Sequence, residues 1–220
     1  MLYEKLGKIY NCRKNYNIAF DFAERKLQLD KEFNYFVGQQ KAYQLLGIIS
    51  YNKRHYNEAL RFYKKGLKLK EIHDKVFPLS YSYFNIGLVY EKMKKYTTSL
   101  LYFDKAIDLL PQSYEKNLTM LLYERALVYR KMRRYKKART LFTDLKNLAD
   151  DLEQTKYIVL ASIELNNIDF IYAVTKKDQE KLLERTENLY EIAKNEEEKK
   201  NISKVVRSMK RRLEKNENRK

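Results

Sequence analysis

Two histidines, His55 and His73, and one cysteine, Cys12, are all the imidazole and thiol chemistry in this 220-residue chain. A hydrolytic triad or a metal centre needs such groups to converge with carboxylates in one pocket. Their spacing offers no such convergence: His55 falls in the basic stretch Lys53-Arg54-His55, His73 falls near a helix end, and Cys12 reads as a small, inert residue. A single cysteine also excludes a disulfide framework and a Cys-rich zinc site. The five glycines are dispersed, and a phosphate-cradling loop needs them clustered. The acidic run Glu196-Glu197-Glu198 reads as a helix start that complements the macrodipole. No catalysis, no metal and no cofactor are therefore expected. What remains is the chemistry of recognition: amides, aromatics and a surplus of cations. Lysine and arginine number 46 against 29 acids, a net charge of +17. Such a charge attracts nucleic acid and anionic surfaces; the Lys-, Asn- and Tyr-heavy composition of a low-GC genome accounts for it equally.

The elements that carry these groups are helices. With 44% hydrophobic and 34% charged residues the chain is a folded one, and 5 glycines with 2 prolines leave too little turn chemistry for a many-stranded sandwich or barrel. No apolar run reaches the ~18 residues of a membrane span, and MLYEKLGKIY is no signal peptide, so a cytoplasmic protein without membrane contact is expected.

The chain repeats itself. Leu6-Gly7-x-x-Tyr10, Leu46-Gly47-x-x-Ser50, Ile86-Gly87-x-x-Tyr90 and Arg125-Ala126-x-x-Tyr129 align, followed by Tyr16-x-x-Ala19, Tyr56-x-x-Ala59, Tyr96-x-x-Ser99 and Tyr135-x-x-Ala138. Ala23, Tyr63, Phe103 and Phe142 each stand four residues beyond the small residue. A fixed period of about 40 decides the architecture. Glycine inside a helix costs about 1 kcal/mol against alanine, so close approach of two helices is the expected compensation at Gly7, Gly47 and Gly87, with Gly66 at a further small site. Gly38 stays unexplained. Pro111 is placed to end a helix, and Pro78, within the connection EIHDKVFPLS, to begin one.

This pattern resembles the tetratricopeptide repeat (TPR), a helix A, turn, helix B unit. The resemblance implies an all-α, right-handed solenoid of about five repeats, near 1–31, 32–74, 79–111, 114–150 and a degenerate 155–195. A capping helix and basic tail over 196–220 complete it, with Ile202, Val205, Val206, Met209 and Leu213 on the apolar face of that helix. The usual unit is about 34 residues, so these repeats carry roughly six extra. Only five residues precede Leu6, which leaves the first helix A short; the chain is expected to be a fragment lacking an N-terminal region.

The resemblance also implies binding through the concave surface lined by the A helices. Counted from each Leu-Gly pair or its equivalent, the groove positions are Lys41, Gln44, Leu45, Ile48 and Asn52, then Tyr81, Phe84, Asn85, Leu88 and Lys92. The fourth repeat gives Met120, Tyr123, Glu124, Leu127 and Lys131, and the fifth Glu164 and Asn167. Mixed apolar, aromatic and amide groups suit an extended peptide or protein segment. The co-chaperone type of TPR groove, which takes acidic chaperone tails, is not matched: Gln44, Ile48, Met120 and Glu124 flank Asn85, and Glu124 repels an acidic tail. The chain is more similar to the peptide-pheromone receptors of Gram-positive bacteria, the Rap, Rgg and PlcR group, with a period near 40, a groove asparagine and a C-terminal capping helix. That resemblance implies a peptide-sensing region of a transcriptional, quorum-sensing regulator, with DNA contact through a preceding helix-turn-helix domain and possible oligomers. Asn85 is expected to be partly solvated when the groove is empty and to hold a peptide backbone.

The A-to-B turns carry a basic rim: Arg13 and Lys14, Lys53 and Arg54, Lys94 and Lys95, Arg133 and Arg134. Solvated turns of a basic protein are one reading; an acidic partner or a nucleic-acid backbone is the other. Two rivals to the peptide sensor therefore stand: a general protein-assembly adaptor, and a nucleic-acid-binding solenoid that uses this rim.

Overall fold

A computed structural model describes residues 2–72, 79–110 and 115–217. His73, Pro78, most of the 71–80 connection and Pro111 lie outside the described residues. Every regular element among the described residues is a helix, and the contacts divide them into two compact units, Met1–Tyr114 and Glu115–Lys220.

The first unit holds three helical hairpins: α1 (Leu2–Cys12) with α2 (Tyr16–Glu32), α3 (Phe36–Asn52) with α4 (Tyr56–Ile72), and α5 (Leu79–Lys92) with α6 (Tyr96–Asp108). The odd-numbered helices are the A helices of the repeat. The glycines mark where each A helix meets its B helix. A Cβ on Gly87 would lie 2.6 Å from the Phe103 ring, one on Gly47 would strike the Tyr63 ring, and one on Gly7 would sit 3.4 Å from the Ala19 carbonyl. Close approach thus offsets the helical cost of glycine. Ser99 strengthens the same seam by donating to the Gly87 carbonyl at 2.8 Å. Around it Leu46, Ile49, Ile86 and Phe103 are fully buried, each contributing about 1.5–3 kcal/mol by leaving water.

The A-to-B turns are built identically. Lys14, Arg54, Lys94 and Arg133 all adopt positive φ, between 58° and 64°. In each, two amides reach back into the helix: Arg54 N–H donates to the Tyr51 carbonyl at 2.9 Å and His55 N–H to the Ser50 carbonyl at 2.8 Å. This is the left-handed helix stop usually given to glycine. Asn34 and Glu153 repeat it in two B-to-A connections. The turn between α2 and α3 is stapled from inside as well. Lys26, buried on α2, pairs with Asp30 and donates to the Gly38 carbonyl at 3.2 Å. A Cβ on Gly38 would come closer than 3.0 Å to the Asp30 carboxylate, which accounts for that glycine.

The second unit holds α7 (Glu115–Lys131), α8 (Tyr135–Asp151), α9 (Thr155–Tyr172), α10 (Lys176–Glu187), the single turn α11 (Leu189–Ile192) and α12 (Glu196–Glu217). The fifth B helix is broken after Glu187, with Asn188 between its two pieces. Helix α12 lies on α9 and α10. Its Ile202 and Met209 are fully buried, the first beside Val159, Ile163 and Leu189, the second beside Phe170 and Leu182. Its start is a reciprocal cap: Glu198 N–H donates to Asn195 Oδ1 at 3.0 Å, while the Glu198 carboxylate accepts from Lys194 N–H at 2.8 Å.

Candidate binding face on the A helices

In the first unit α1, α3 and α5 lie side by side. On α3, Lys41, Gln44 and Ile48 are half-buried and Asn52 is exposed. The Asn52 amide donates to Asn11 Oδ1 at 3.0 Å, tying the ends of α3 and α1 together. Leu45 belongs to the core at 3% exposure, its Cδ2 only 2.9 Å from where a Gly7 Cβ would stand, so this position faces the preceding A helix. On α5, Tyr81 and Lys92 are exposed and Leu88 is half-buried. Phe84 departs from its expected place in an open groove. It is buried against Phe103, ring centres 5.7 Å apart, because the glycine at 87 lets the two helices close over it.

Asn85 also differs from the expectation of a partly solvated amide. One repeat on from Leu45, it is 6% exposed, and its Nδ2 is shut off from solvent with no hydrogen-bond partner among the described residues. Gln44 Nε2 and Gln40 Oε1, on the adjoining α3, are likewise buried without partners among the described residues. Gln40 is a residue that the spacing argument passed over. Its neighbour Gln39 is satisfied, donating to the Asp30 carbonyl at 3.1 Å. Most buried polar groups in folded proteins are paired, and an unpaired one costs about 1–3 kcal/mol. Three orphaned amide atoms on two adjacent A helices therefore stand out chemically: two donors and an acceptor, the complement of a peptide backbone.

The A helices of the second unit present a different chemistry. Tyr123, Leu127, Lys131 and Asn167 are half-buried, as are Met120 and Glu124. Tyr123 packs on Phe142 and Tyr157, with ring centres 6.0 and 6.2 Å away. Burial first, and then the Glu164 and Glu124 carboxylates, push its phenol well above the usual range. Glu164 pairs with Arg130 Nε at 2.9 Å. Burial nevertheless raises its carboxyl above the ordinary value, outweighing the attraction of Arg130 and Lys131.

The turn cations Arg13, Lys14, Arg54, Lys94, Lys95, Arg133 and Arg134 are exposed. Lys53 is held back: its amine donates to Asn17 Oδ1 at 3.1 Å and lies 5.8 Å from the centre of the Phe20 ring. Cys12 is an exposed free thiol, and His55 Nδ1 lies 3.6 Å from the Glu58 carboxylate. Among the described residues no group of three or more His, Cys, Asp or Glu side chains is placed to hold a metal ion. Nor is any described helix long and apolar enough to cross a membrane.

Residues 40–73 and 80–113 each match the tetratricopeptide repeat family. With the helical hairpins above, they make these two stretches tetratricopeptide repeats within an all-helical repeat fold. The fold is found again in solved structures of Rap proteins. The apo form of RapI has 18% identity and a TM-score of 0.67, over 97% of this chain and 83% of that one. Aspartyl phosphate phosphatase F from Bacillus subtilis has 18% identity and a TM-score of 0.68, over 97% of this chain and 58% of that one. A Rap protein complexed with Competence and Sporulation Factor has 13% identity and a TM-score of 0.67, over 97% of this chain and 64% of that one. At these identities the likeness is one of fold. No curated protein matches the chain.

Proposed function

We propose that this chain is a non-catalytic scaffold that binds an extended peptide along the A helices of its first unit, as the sensing region of a bacterial regulator. The observation that carries the reading is the orphaned amide of Asn85 on α5, with a second orphaned amide, Gln44 Nε2, on the adjoining α3. A peptide backbone offers a carbonyl and an N–H at every residue, so once a side-chain rotation turns these buried amides outward it can satisfy them without demanding particular side chains. The half-buried Ile48 and Leu88 and the exposed Tyr81, on the same two helices, supply apolar surface. A Rap protein of the same fold has been solved with Competence and Sporulation Factor bound, which supports a ligand-binding role for this architecture. The phosphatase activity named for another of these relatives is a property of that protein, of which this chain spans 58%.

Panning a displayed library of random peptides against the protein, followed by calorimetry of the enriched sequences, tests the reading. Peptides should bind wild type, and Asn85→Ala should weaken them by roughly 1–3 kcal/mol, about 5- to 150-fold. Enriched peptides whose affinity is unchanged in Asn85→Ala would remove the amide from any recognition role.

A further inference from the structure

Beyond the A-helix face, the structure points to a second interaction surface. We infer that the outer face of α12 is a docking strip for the phosphate backbone of duplex nucleic acid, read without regard to sequence.

Lys200, Lys204, Arg207, Arg211 and Lys215 recur at intervals of four, three, four and four residues, so they form one row along α12, about 22 Å long at 1.5 Å per residue. All five are exposed, and Arg212 stands beside them. Lys204, Arg207, Arg211 and Lys215 of the row line one open recess together with Ser208 and Arg212. None of the cations in the row has a carboxylate partner among the described residues; Arg207 donates only to the Ser203 carbonyl, at 3.2 Å. Other lysines of the same helix do have one: Lys210 pairs with Glu187 at 2.8 Å, and Lys199 lies 3.8 Å from Glu196.

Like charges one turn apart each destabilise a helix by about 0.2–0.5 kcal/mol. Apart from Lys215, whose charge suits the helix C-terminus, folding gains little from the row; an external polyanion gains from all of it. The choice among polyanions follows from what the face lacks. An anionic membrane is disfavoured because Ile202 and Met209, which would have to insert, are fully buried against α9 and α10. An acidic polypeptide would find no apolar or aromatic anchor on the row, only solvent-exposed ion pairs worth about 0–1 kcal/mol each. A single-stranded nucleic acid would find no aromatic side chain on α12 itself, and Tyr190, the exposed ring at its edge, has its hydroxyl engaged with Ser203. A duplex backbone needs neither anchor nor ring, because each neutralised phosphate releases condensed counter-ions.

The test is fluorescence anisotropy with a labelled random-sequence 20-base-pair duplex, titrated from low to moderate salt. It compares the wild-type chain with two fourfold variants of equal charge change. One replaces Lys204, Arg207, Arg211 and Lys215 with Gln; the other replaces Lys14, Arg54, Lys94 and Lys95 with Gln. Circular dichroism confirms that both are folded. The strip variant should bind at least about 10-fold more weakly at low salt, with a salt slope shallower by about 3.5, while the turn variant changes by less than about threefold. Equal losses in both variants would mean bulk charge rather than a site, and would overturn the assignment. So would failure of the wild type to bind the duplex, or strip-dependent binding of poly-glutamate or anionic lipid vesicles that exceeds binding of the duplex.

Discussion

Replacing Asn85 with leucine should make the folded protein more stable. Its amide nitrogen is buried and unpaired, a state that costs about 1–3 kcal/mol. Leucine has the same number of side-chain heavy atoms and a similar branched shape, and Leu45 already fills the corresponding position one repeat earlier at 3% exposure. Repacking takes back part of the gain, because volume-conserving swaps still cost up to ~1.5 kcal/mol. The net expectation is stabilisation by about 1 kcal/mol, which raises Tm by roughly 2–4 °C in a chain of this length. Asn85→Ala should come out near neutral, since relief of the orphaned donor is offset by lost packing and a cavity term of about 0.6 kcal/mol for roughly 25 Å³. Urea titrations of wild type and both variants, followed by circular dichroism, give the comparison. Should Asn85→Leu lower stability by more than about 0.5 kcal/mol, the amide has a partner in the unliganded protein, and the case that it awaits a ligand collapses. If stability rises while peptide binding is lost, Asn85 is held at the expense of the fold for the sake of recognition.

Three further outcomes follow from the packing and the electrostatics. Gly87→Ala should destabilise by about 1–2 kcal/mol in thermal melts, because the added carbon meets the Phe103 ring at 2.6 Å and the clash exceeds the ~1 kcal/mol helical gain; an unchanged melting point would mean that the seam is loose. Lys94→Gly should stabilise by about 1 kcal/mol in urea, since φ of 60° is unfavourable for a side chain, whereas Lys95→Gly should not. Glu164→Gln tests linkage. Burial raises the folded carboxyl above its unfolded value, so wild type loses stability as pH climbs from the unfolded value through the raised one. The variant should therefore gain relative to wild type between pH 4 and pH 7, and a relative loss over that interval would show that Arg130 dominates.

The repeat was legible because it is written in residue size. Glycine or alanine every 40 residues, with an aromatic fixed beyond it, has few meanings other than helices in close contact, and Gly87 against Phe103 is that contact. The candidate site was less legible. Position along an A helix says that Phe84 and Asn85 lie near its middle, but only the approach of α6 and α3 decides that both are buried. The staple made by Lys26 was invisible for a related reason. A lysine on a B helix reads as solvated until a carboxylate one turn away and the carbonyl of Gly38 close around it. The left-handed turns were hidden by composition. Sequence reading looks for glycine or asparagine there, and only Asn34 among the six positive-φ residues fits, the others being Lys14, Arg54, Lys94, Arg133 and Glu153. Lys14, Arg54, Lys94 and Arg133 are conspicuous in the sequence for their charge, not for their backbone.

Helix α3 buries residues on almost every side, from Gly38 and Gln39 through Tyr43, Leu46 and Ile49 to Ser50, whereas α2 buries only Ala19, Ala23, Lys26 and Leu27. An amphipathic helix such as α2 can be half-formed on one neighbour; a helix enclosed like α3 needs α2 on one flank and α4 on the other before its apolar surface leaves water. The 36–72 hairpin excised alone would therefore stay unfolded, and the cooperative folding unit must be larger than the repeat that the sequence displays. In hydrogen exchange the same asymmetry should appear as slow, globally opening amides along α3, with faster exchange at the solvent-facing ends of α2. Gln40 and Gln44, which carry the other two orphaned amide atoms, lie on α3 and would then sit in the last part of the first unit to open.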